Sequence, residues 1–160
     1  MFKDSDHGNA LRRITKFIST DFAAAGWQGL AHSEEHGGQG LPRLVATAFG
    51  EMLNAANMAF ALCPLLTDGA AEALLTAGSA QQQQQYIGNM LAGKWSGTMQ
   101  LTESQAGSDL SAVRSTATRQ TDGTYRLTGE KIYITYGEHD YTEKYYSHGI
   151  GAHTPMPSKG

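Results

Sequence analysis

The chain has 160 residues, with 12 lysines and arginines against 15 aspartates and glutamates and a formal net charge of −3. Forty per cent of the residues are apolar, which is the composition of a globular protein that can bury a core. A weakly negative chain attracts neither nucleic acid nor an anionic membrane, so we expect neither as a partner. The single cysteine excludes an internal disulfide, and the N-terminus carries no apolar leader. Together these features predict a cytoplasmic protein without a membrane span.

Residues 1–94 carry apolar side chains at three- and four-residue spacing, which predicts an N-terminal helical domain. The first helix would place four apolar residues on one face: Leu11, Ile14, Ile18 and Phe22. Gly26 is suited to end that helix in a left-handed conformation. The glycine-rich stretch after it predicts a loop, and Pro42 would begin a second helix that runs towards Asn57.

A third helical stretch is predicted from residue 58 to about residue 78. It contains Pro64, whose missing N–H predicts a kink or a split. Ser79 would cap the next helix, which ends near Gly93 and presents the five glutamines at 81–85 to solvent. The buried face of this helix would consist of Tyr86, Met90 and Leu91.

After Trp95 the apolar period changes to two, which is typical of strands. We predict strands near 96–102, 113–120, 124–129 and 131–135, with Asp122-Gly123 as a turn. Helices followed by strands predict an α+β fold, with the start of a β domain at 95–142. Residues 143–160 lose both periods and predict an irregular tail. A sheet of four short strands would keep an open edge, so the chain is expected to be truncated.

Three stretches invite chemical hypotheses that the sequence disfavours. His32 and His36 could bind zinc only on a helix, and flanking glycines predict a polar loop instead. "GEHD", at 137–140, has no partner ligands at suitable spacing, so no metal site is predicted. Cys63 lies within "FALCPLL", which favours a small buried side chain over a nucleophile.

The stretch "MQLTESQAGSDL", at 99–110, has two interpretations. Thr102 and Gln105 have the spacing of a capping box, which would begin a helix. Alternatively, a strand end followed by a loop with hydroxyls and free backbone N–H groups is suited to bind an anion or a heteroaromatic ring. The residues by themselves leave both interpretations open.

Two spaced motifs identify a family. "MQLTESQAGSDL", followed by "DGTYRLTGEKIYIT", resembles the flavin-binding signature of the acyl-CoA dehydrogenases. "GWQGL", "GGQGLP" and the lead-in "YIGNMLAGKWSGTMQLTE" agree, so the resemblance covers nearly all of residues 10–141. The chain looks most similar to the larger members, including those that resemble 3-(methylthio)propanoyl-CoA dehydrogenases.

The resemblance implies a fold and a reaction. Family members have an N-terminal helical domain, a middle β-barrel-like domain of antiparallel strands, and a C-terminal helical bundle. They are usually homo-oligomers and act in fatty acid metabolism. Their FAD accepts a hydride from an acyl-CoA, and the product is a trans-2-enoyl-CoA. Electrons then pass to an electron-transfer flavoprotein. The catalytic Glu base belongs to the C-terminal domain, so no catalytic residue is assigned to this chain.

The family motif also implies positions for the cofactor. Eight residues are candidates for contact with FAD: Met99, Gln100, Leu101, Thr102, Ser108, Tyr133, Ile134 and Thr135. Ser108 would also lie near the CoA-bearing substrate. On a strand, Tyr133 and Thr135 would point to one face. Ser104 replaces the proline of the family pattern, which predicts a more flexible loop before binding.

These expectations lead to two hypotheses. The first is a fragment of an acyl-CoA dehydrogenase that supplies one wall of the site, binds FAD weakly or not at all, and does not turn over. A shifted reading frame would explain its tail. The rival hypothesis is a non-enzymatic α+β interaction module that uses its exposed apolar helix surface.

Overall fold

The computed structural model describes Lys16, residues 19–149 and residues 154–156; the side chains of 144–149 and 154–156 are not described. Helix α1 comprises residues 19–24 here, and the predicted positions Leu11, Ile14 and Ile18 lie outside the described residues. Gly26 follows with φ 72°, as predicted for a helix end. Phe22 packs edge-on against Phe60, with ring centroids 5.4 Å apart.

Residues 27–41 form the predicted loop, which folds tightly. It contains two 3-10 turns, Trp27–Gly29 and Glu34–His36, and its backbone pairs across itself through Gln39 N–H to Gly29 O at 2.9 Å. At Gly38 a Cβ atom would lie 2.2 Å from the carbonyl oxygen of His32, so only glycine fits this crossing. The glycines therefore allow a compact loop that packs against the next helix.

Helix α2, Arg43–Ala77, begins directly after Pro42 and is two helices joined end to end. The backbone leaves the helical region at Asn57, with φ −160° and ψ 86°. The Asn57 side chain accepts a hydrogen bond from Phe60 N–H at 3.0 Å and thereby caps the second half. The predicted boundary near residue 57 is thus confirmed. The split predicted as one alternative at Pro64 is wrong, because the helical backbone continues through that residue.

By length and composition α2 could cross a membrane, with a mean hydropathy of 1.4 over its most apolar window. Core helices of globular proteins pass the same test. The second half of α2 buries Ala70, Ala71 and Leu74 in the main core of the described chain. This property alone therefore assigns no membrane role.

Helix α3, Ala80–Leu91, has the predicted cap at Ser79. The Ser79 hydroxyl accepts from Gln82 N–H at 3.3 Å, and the Gln82 side chain accepts from Ser79 N–H at 2.8 Å. The glutamine run is not simply exposed, since Gln83 donates to carbonyls at the end of α2, including Leu74 O at 3.1 Å. The buried face of α3 consists of Ile87, Met90 and Leu91.

Strand β1, Trp95–Gln100, lies directly on α2. The backbone N–H of Gly97 donates to the buried hydroxyl of Thr67 at 3.1 Å. A Cβ atom at Gly97 would lie 2.3 Å from Cβ of Ala70, so strand and helix approach as closely as glycine and alanine allow. This contact sets the distance between β1 and α2.

Strands β2, Thr116–Arg119, and β3, Tyr125–Thr128, form the predicted antiparallel hairpin. Gly123 in the turn has φ 84°, and the Asp122 carboxylate accepts from Thr124 N–H at 2.9 Å. Every residue of both strands is exposed. The conformation of the hairpin therefore depends on the hydrogen bonds between its two strands and on the residues at its base.

The third pairing differs from the predicted one. Strand β4, Lys144–Gly149, runs parallel to β1, and β5, Thr154–Met156, pairs antiparallel with β4. The irregular tail predicted for 143–160 is thus wrong at these two strands. The strand predicted at 131–135 is absent, because β4 takes an edge of β1 and Tyr133 adopts a left-handed φ of 56°. The α+β class is confirmed.

Candidate functional site

The end of β1 and the segment 131–135 lie side by side. The backbone N–H of Ile132 donates to Thr102 O at 3.0 Å, and the Thr98 hydroxyl donates to Thr135 O at 2.6 Å. Two motifs far apart in the sequence therefore form one surface. Both hydrogen bonds end on a main-chain carbonyl, Thr102 O or Thr135 O, so the contact fixes the backbone of the two segments.

A buried carboxylate lies beneath this surface. Glu103 is 4% exposed, and its Oε1 accepts from Ser115 N–H at 3.0 Å and from Lys131 Nζ at 2.8 Å. Its Oε2 accepts from Arg114 N–H at 2.9 Å and from the Gln105 side chain at 2.6 Å. The hydrogen bond from Lys131, followed by those from residues 114–115, holds the pKa of Glu103 well below its usual range.

Lys131 connects the two motifs through its side chain. Its Nζ donates to Leu101 O at 3.1 Å as well as to Glu103, and the side chain is 15% exposed. Sequence reasoning missed both members of this ion pair. The available signal was their position, since the acid directly follows Thr102 and the lysine lies two residues before Tyr133.

The loop after β1 is a tight turn and not a helix start. Glu103 and Ala106 exchange two backbone hydrogen bonds of 3.0 Å, and Ala106 is fully buried. Asp109 caps the short 3-10 turn Leu110–Ala112 by accepting from Ser111 N–H at 3.0 Å. The capping-box interpretation of Thr102 is therefore wrong, because Gln105 binds Glu103 and the cap is Asp109.

The predicted cofactor residues differ in exposure. Met99 is 46% exposed and Tyr133 is 88% exposed, so both present apolar surface to solvent. The left-handed backbone at Tyr133 breaks the strand alternation, which corrects the prediction that Tyr133 and Thr135 share a strand face. Gln100, Leu101 and Thr102, at the end of β1, are half-buried. Ile134, directly after Tyr133, is also half-buried. Ser108 and Thr135 are exposed.

His32 lies in the predicted loop and anchors it to α2. It is buried, and its Nε2 lies 2.5 Å from the Asp68 carboxylate on α2. Its Nδ1 is 3.8 Å from Glu72, which also pairs with Arg43. Among the described residues, no group of three or more His, Cys, Asp or Glu side chains is placed to hold a metal ion.

His139 and Cys63 lack the surroundings that a catalytic base and a catalytic nucleophile need, respectively. His139 Nδ1 accepts from Tyr141 N–H at 3.2 Å, so the neutral ring carries its proton on Nε2 and donates it to Ser96 at 2.8 Å. A general base would instead have to accept the serine proton. Cys63 is buried as predicted, and desolvation raises the pKa of its thiol to about 12.

Comparison with known proteins decides the family. The profile of the acyl-CoA dehydrogenase N-terminal domain matches residues 6–94, which is more than half of the chain. The chain belongs to the acyl-CoA dehydrogenase family. It is 53% identical over 139 residues to the 3-methylmercaptopropionyl-CoA dehydrogenase of Ruegeria pomeroyi, a match that covers 87% of this chain and 24% of that relative. The chain thus spans about a quarter of the length of this curated relative.

Solved structures agree with the acyl-CoA dehydrogenase fold. The glutaryl-CoA dehydrogenase of Mycobacterium smegmatis superposes with a TM-score of 0.75 at 24% identity, over 88% of this chain and 37% of that one. An acyl-CoA dehydrogenase complexed with FAD, from Bacillus anthracis, superposes with a TM-score of 0.71 at 24% identity. This second match covers 88% of this chain and 24% of that chain. Both likenesses establish the fold.

FAD is the cofactor of this acyl-CoA dehydrogenase family, and the residues beside the β1 end fit a flavin. A flavin needs apolar cover for its rings and hydrogen-bond donors for its polar edge. Met99 and Tyr133 offer exposed apolar side chains, while the half-buried Thr102 and the exposed Thr135 bring hydroxyl groups to the same two adjacent segments. The described residues can therefore form one wall of a flavin site.

Proposed function

We propose that this chain supplies one wall of the flavin site in an FAD-dependent acyl-CoA dehydrogenase that oxidises an acyl-CoA thioester to a trans-2-enoyl-CoA. The observation that carries the proposal is the contact between the two motifs, Ile132 N–H to Thr102 O at 3.0 Å. Identity of 53% to an enzyme of Ruegeria pomeroyi supports a 3-methylmercaptopropionyl-CoA type of substrate.

The residues of this wall would act by fixed orientation. When bound, FAD would accept a hydride from the β-carbon of the acyl group. Thr102 and Thr135 would donate hydrogen bonds to the polar edge of the cofactor, and such preorganised donors stabilise the negative charge that develops there. Tyr133 would cover an apolar edge and exclude water, and Ser108 would lie towards the CoA-bearing substrate.

The partners and location follow from the same proposal. Electron-transfer flavoprotein would be the electron acceptor, and the assembled enzyme would be a homo-oligomer. It would lie in the cytoplasm and act in fatty acid metabolism. Hydride transfer requires the reacting atoms to lie about 3–3.5 Å apart, which one wall cannot enforce. We therefore expect this chain by itself to bind FAD weakly and not to turn over.

NMR titration tests the site even if affinity is low. Adding FAD to the purified chain is expected to shift amide signals at residues 99–108 and 131–135. Tyr133→Ala should weaken binding by roughly twofold to tenfold, the worth of one aromatic contact. Tyr125→Ala is the matched control, because Tyr125 is an exposed tyrosine on the hairpin. Shifts elsewhere, or equal loss in the control, would contradict the proposal.

A second candidate function is that of a non-enzymatic module that binds a partner protein. Exposed apolar residues on α2 favour it. Leu44 is 80% exposed, and four more large apolar side chains of the same helix are exposed: Val45, Met52, Met58 and Leu65. Size-exclusion chromatography with and without FAD separates the candidates. A defined oligomer that ignores FAD favours the module, whereas protein stabilised by FAD favours the dehydrogenase.

A further inference from the structure

We propose that the Glu103–Lys131 ion pair is the positioning device of the flavin-facing surface and that it holds the segment 131–135 in register against the end of β1. The proposal rests on the proposed function for the identity of the ligand. The positioning itself follows from the contacts of these two side chains and can be tested without any ligand.

Three separate parts of the chain converge on this pair. The β1 end supplies Leu101 O and the Glu103 carboxylate, the base of the hairpin supplies the N–H groups of residues 114 and 115, and the third part supplies Lys131. Each carboxylate oxygen accepts two hydrogen bonds, so the network is fully occupied. Four fixed donors around one carboxylate favour this arrangement of the three segments, because any other arrangement would leave buried polar groups unpaired.

The charges of the pair make it asymmetric. Without Lys131 the buried carboxylate would keep three donors, two of them backbone N–H groups. Without Glu103 the Lys131 ammonium would keep Leu101 O as its acceptor among the described residues. Removing one partner of a buried ion pair is costly because it leaves the other charge uncompensated. The carboxylate would still keep its other three donors, so removal of the lysine should loosen one segment without unfolding the carboxylate site.

The backbone beyond Lys131 needs this support. Tyr133 adopts φ 56°, a conformation that costs a residue with a side chain and persists where neighbours over-determine it. Lys131 fixes the chain before Tyr133, and the hydrogen bond from Thr98 to Thr135 O fixes it after. The ion pair therefore sets the direction in which the exposed ring of Tyr133 leaves the surface.

Amide hydrogen exchange by NMR tests the positioning without FAD. Lys131→Met keeps the stem and removes the charge, and it is expected to raise the exchange rate of the Ile132 amide by at least about tenfold. Lys131→Arg should restore most of the protection. Lys94→Met is the matched control, because Lys94 is an exposed lysine close to β1. Glu103→Gln keeps the shape of the side chain but sets an amide NH2 against two of the four donors, so it should raise the exchange rate at Ile132 and also at Arg114 and Ser115.

The same variants separate this inference from the proposed function. In the wild-type chain FAD should shift the signals of Thr102, Tyr133 and Thr135; in Lys131→Met only the shift at Thr102 should survive. Unchanged exchange at Ile132, or an equal rise at the core amide of Ile87, would overturn the positioning role. Absence of any FAD-induced shift in the wild-type chain would instead refute the flavin site, while the exchange data would still decide the inference.

Discussion

Glu103 carries the largest electrostatic effect that the described residues contain around the site. Its four donors favour the ionised carboxylate, so its pKa is lowered in the folded chain from the ordinary value of 4.5. A lowered carboxyl pKa contributes stability that is fully present above the unfolded pKa. That contribution is lost as the pH falls from about 4.5 towards the folded pKa.

We predict that the stability difference between wild type and Glu103→Gln depends on pH in this sense. The wild type should exceed the variant by the most at neutral pH, and the difference should shrink as the pH falls below about 4.5. Asp109 and Asp122 also have lowered pKa values, but they are common to both chains and cancel. Urea denaturation between about pH 7 and pH 3 measures the difference, and a constant difference would contradict the prediction.

The sequence predicted which segments meet beside the end of β1 better than it predicted their conformation. The motif resemblance selected residues 99–102, 108 and 133–135, and the fold brings the first and last of these segments side by side. It could not predict the left-handed backbone of Tyr133, because that conformation depends on contacts made by Lys131 and Thr135. Glu103 was overlooked since an acid in a loop gives no sign of burial until the donors around it are known.

At the scale of elements, β1 packs closely on α2. The hydroxyl of Thr67 and the small side chain of Ala70 face Gly97 directly. This contact joins the helical layer to the strand that ends at the candidate site. Any added volume at the contact must push the strand away from the helix.

We predict that Gly97→Ala lowers the free energy of unfolding by about 1–3 kcal/mol, because the new methyl group would lie 2.3 Å from Cβ of Ala70. Gly69→Ala is the matched control. Gly69 lies within α2 with open space around it, so alanine should raise stability by about 0.5–1 kcal/mol through helix propensity. Chemical denaturation measures both, and equal effects of the two substitutions would contradict the packing argument.

Local signals predicted the elements, whereas nonlocal pairings escaped prediction. The cap at Ser79 and the Asp122-Gly123 turn depend on neighbouring residues and were confirmed. The boundary near Asn57 was predicted, and the side chain of Asn57 caps the turn that follows it, whereas the additional split predicted at Pro64 is absent. Strand β4 was missed since its parallel partner β1 lies far away in the sequence, and only its paired tyrosines favoured a strand.

At the scale of the whole molecule, stability is unevenly distributed. The core is formed by the second half of α2 together with α3, and β1 packs on that half of α2. The hairpin of β2 and β3 extends away from the core with every strand residue exposed. An isolated two-stranded hairpin is marginally stable in water, so this one depends on its anchored base.

Hydrogen exchange should therefore divide the described chain into three levels. Amides of α3 and β1 are expected to exchange only through global unfolding, while those of residues 116–128 should exchange through local opening with little protection. Between them, the base of the hairpin should keep intermediate protection, because Glu103 accepts hydrogen bonds from the N–H groups of Arg114 and Ser115. Mass spectrometry of peptic fragments measures all three levels. Glu103→Gln should lower the intermediate level selectively, and a hairpin as protected as α3 would show instead that an unseen contact covers it.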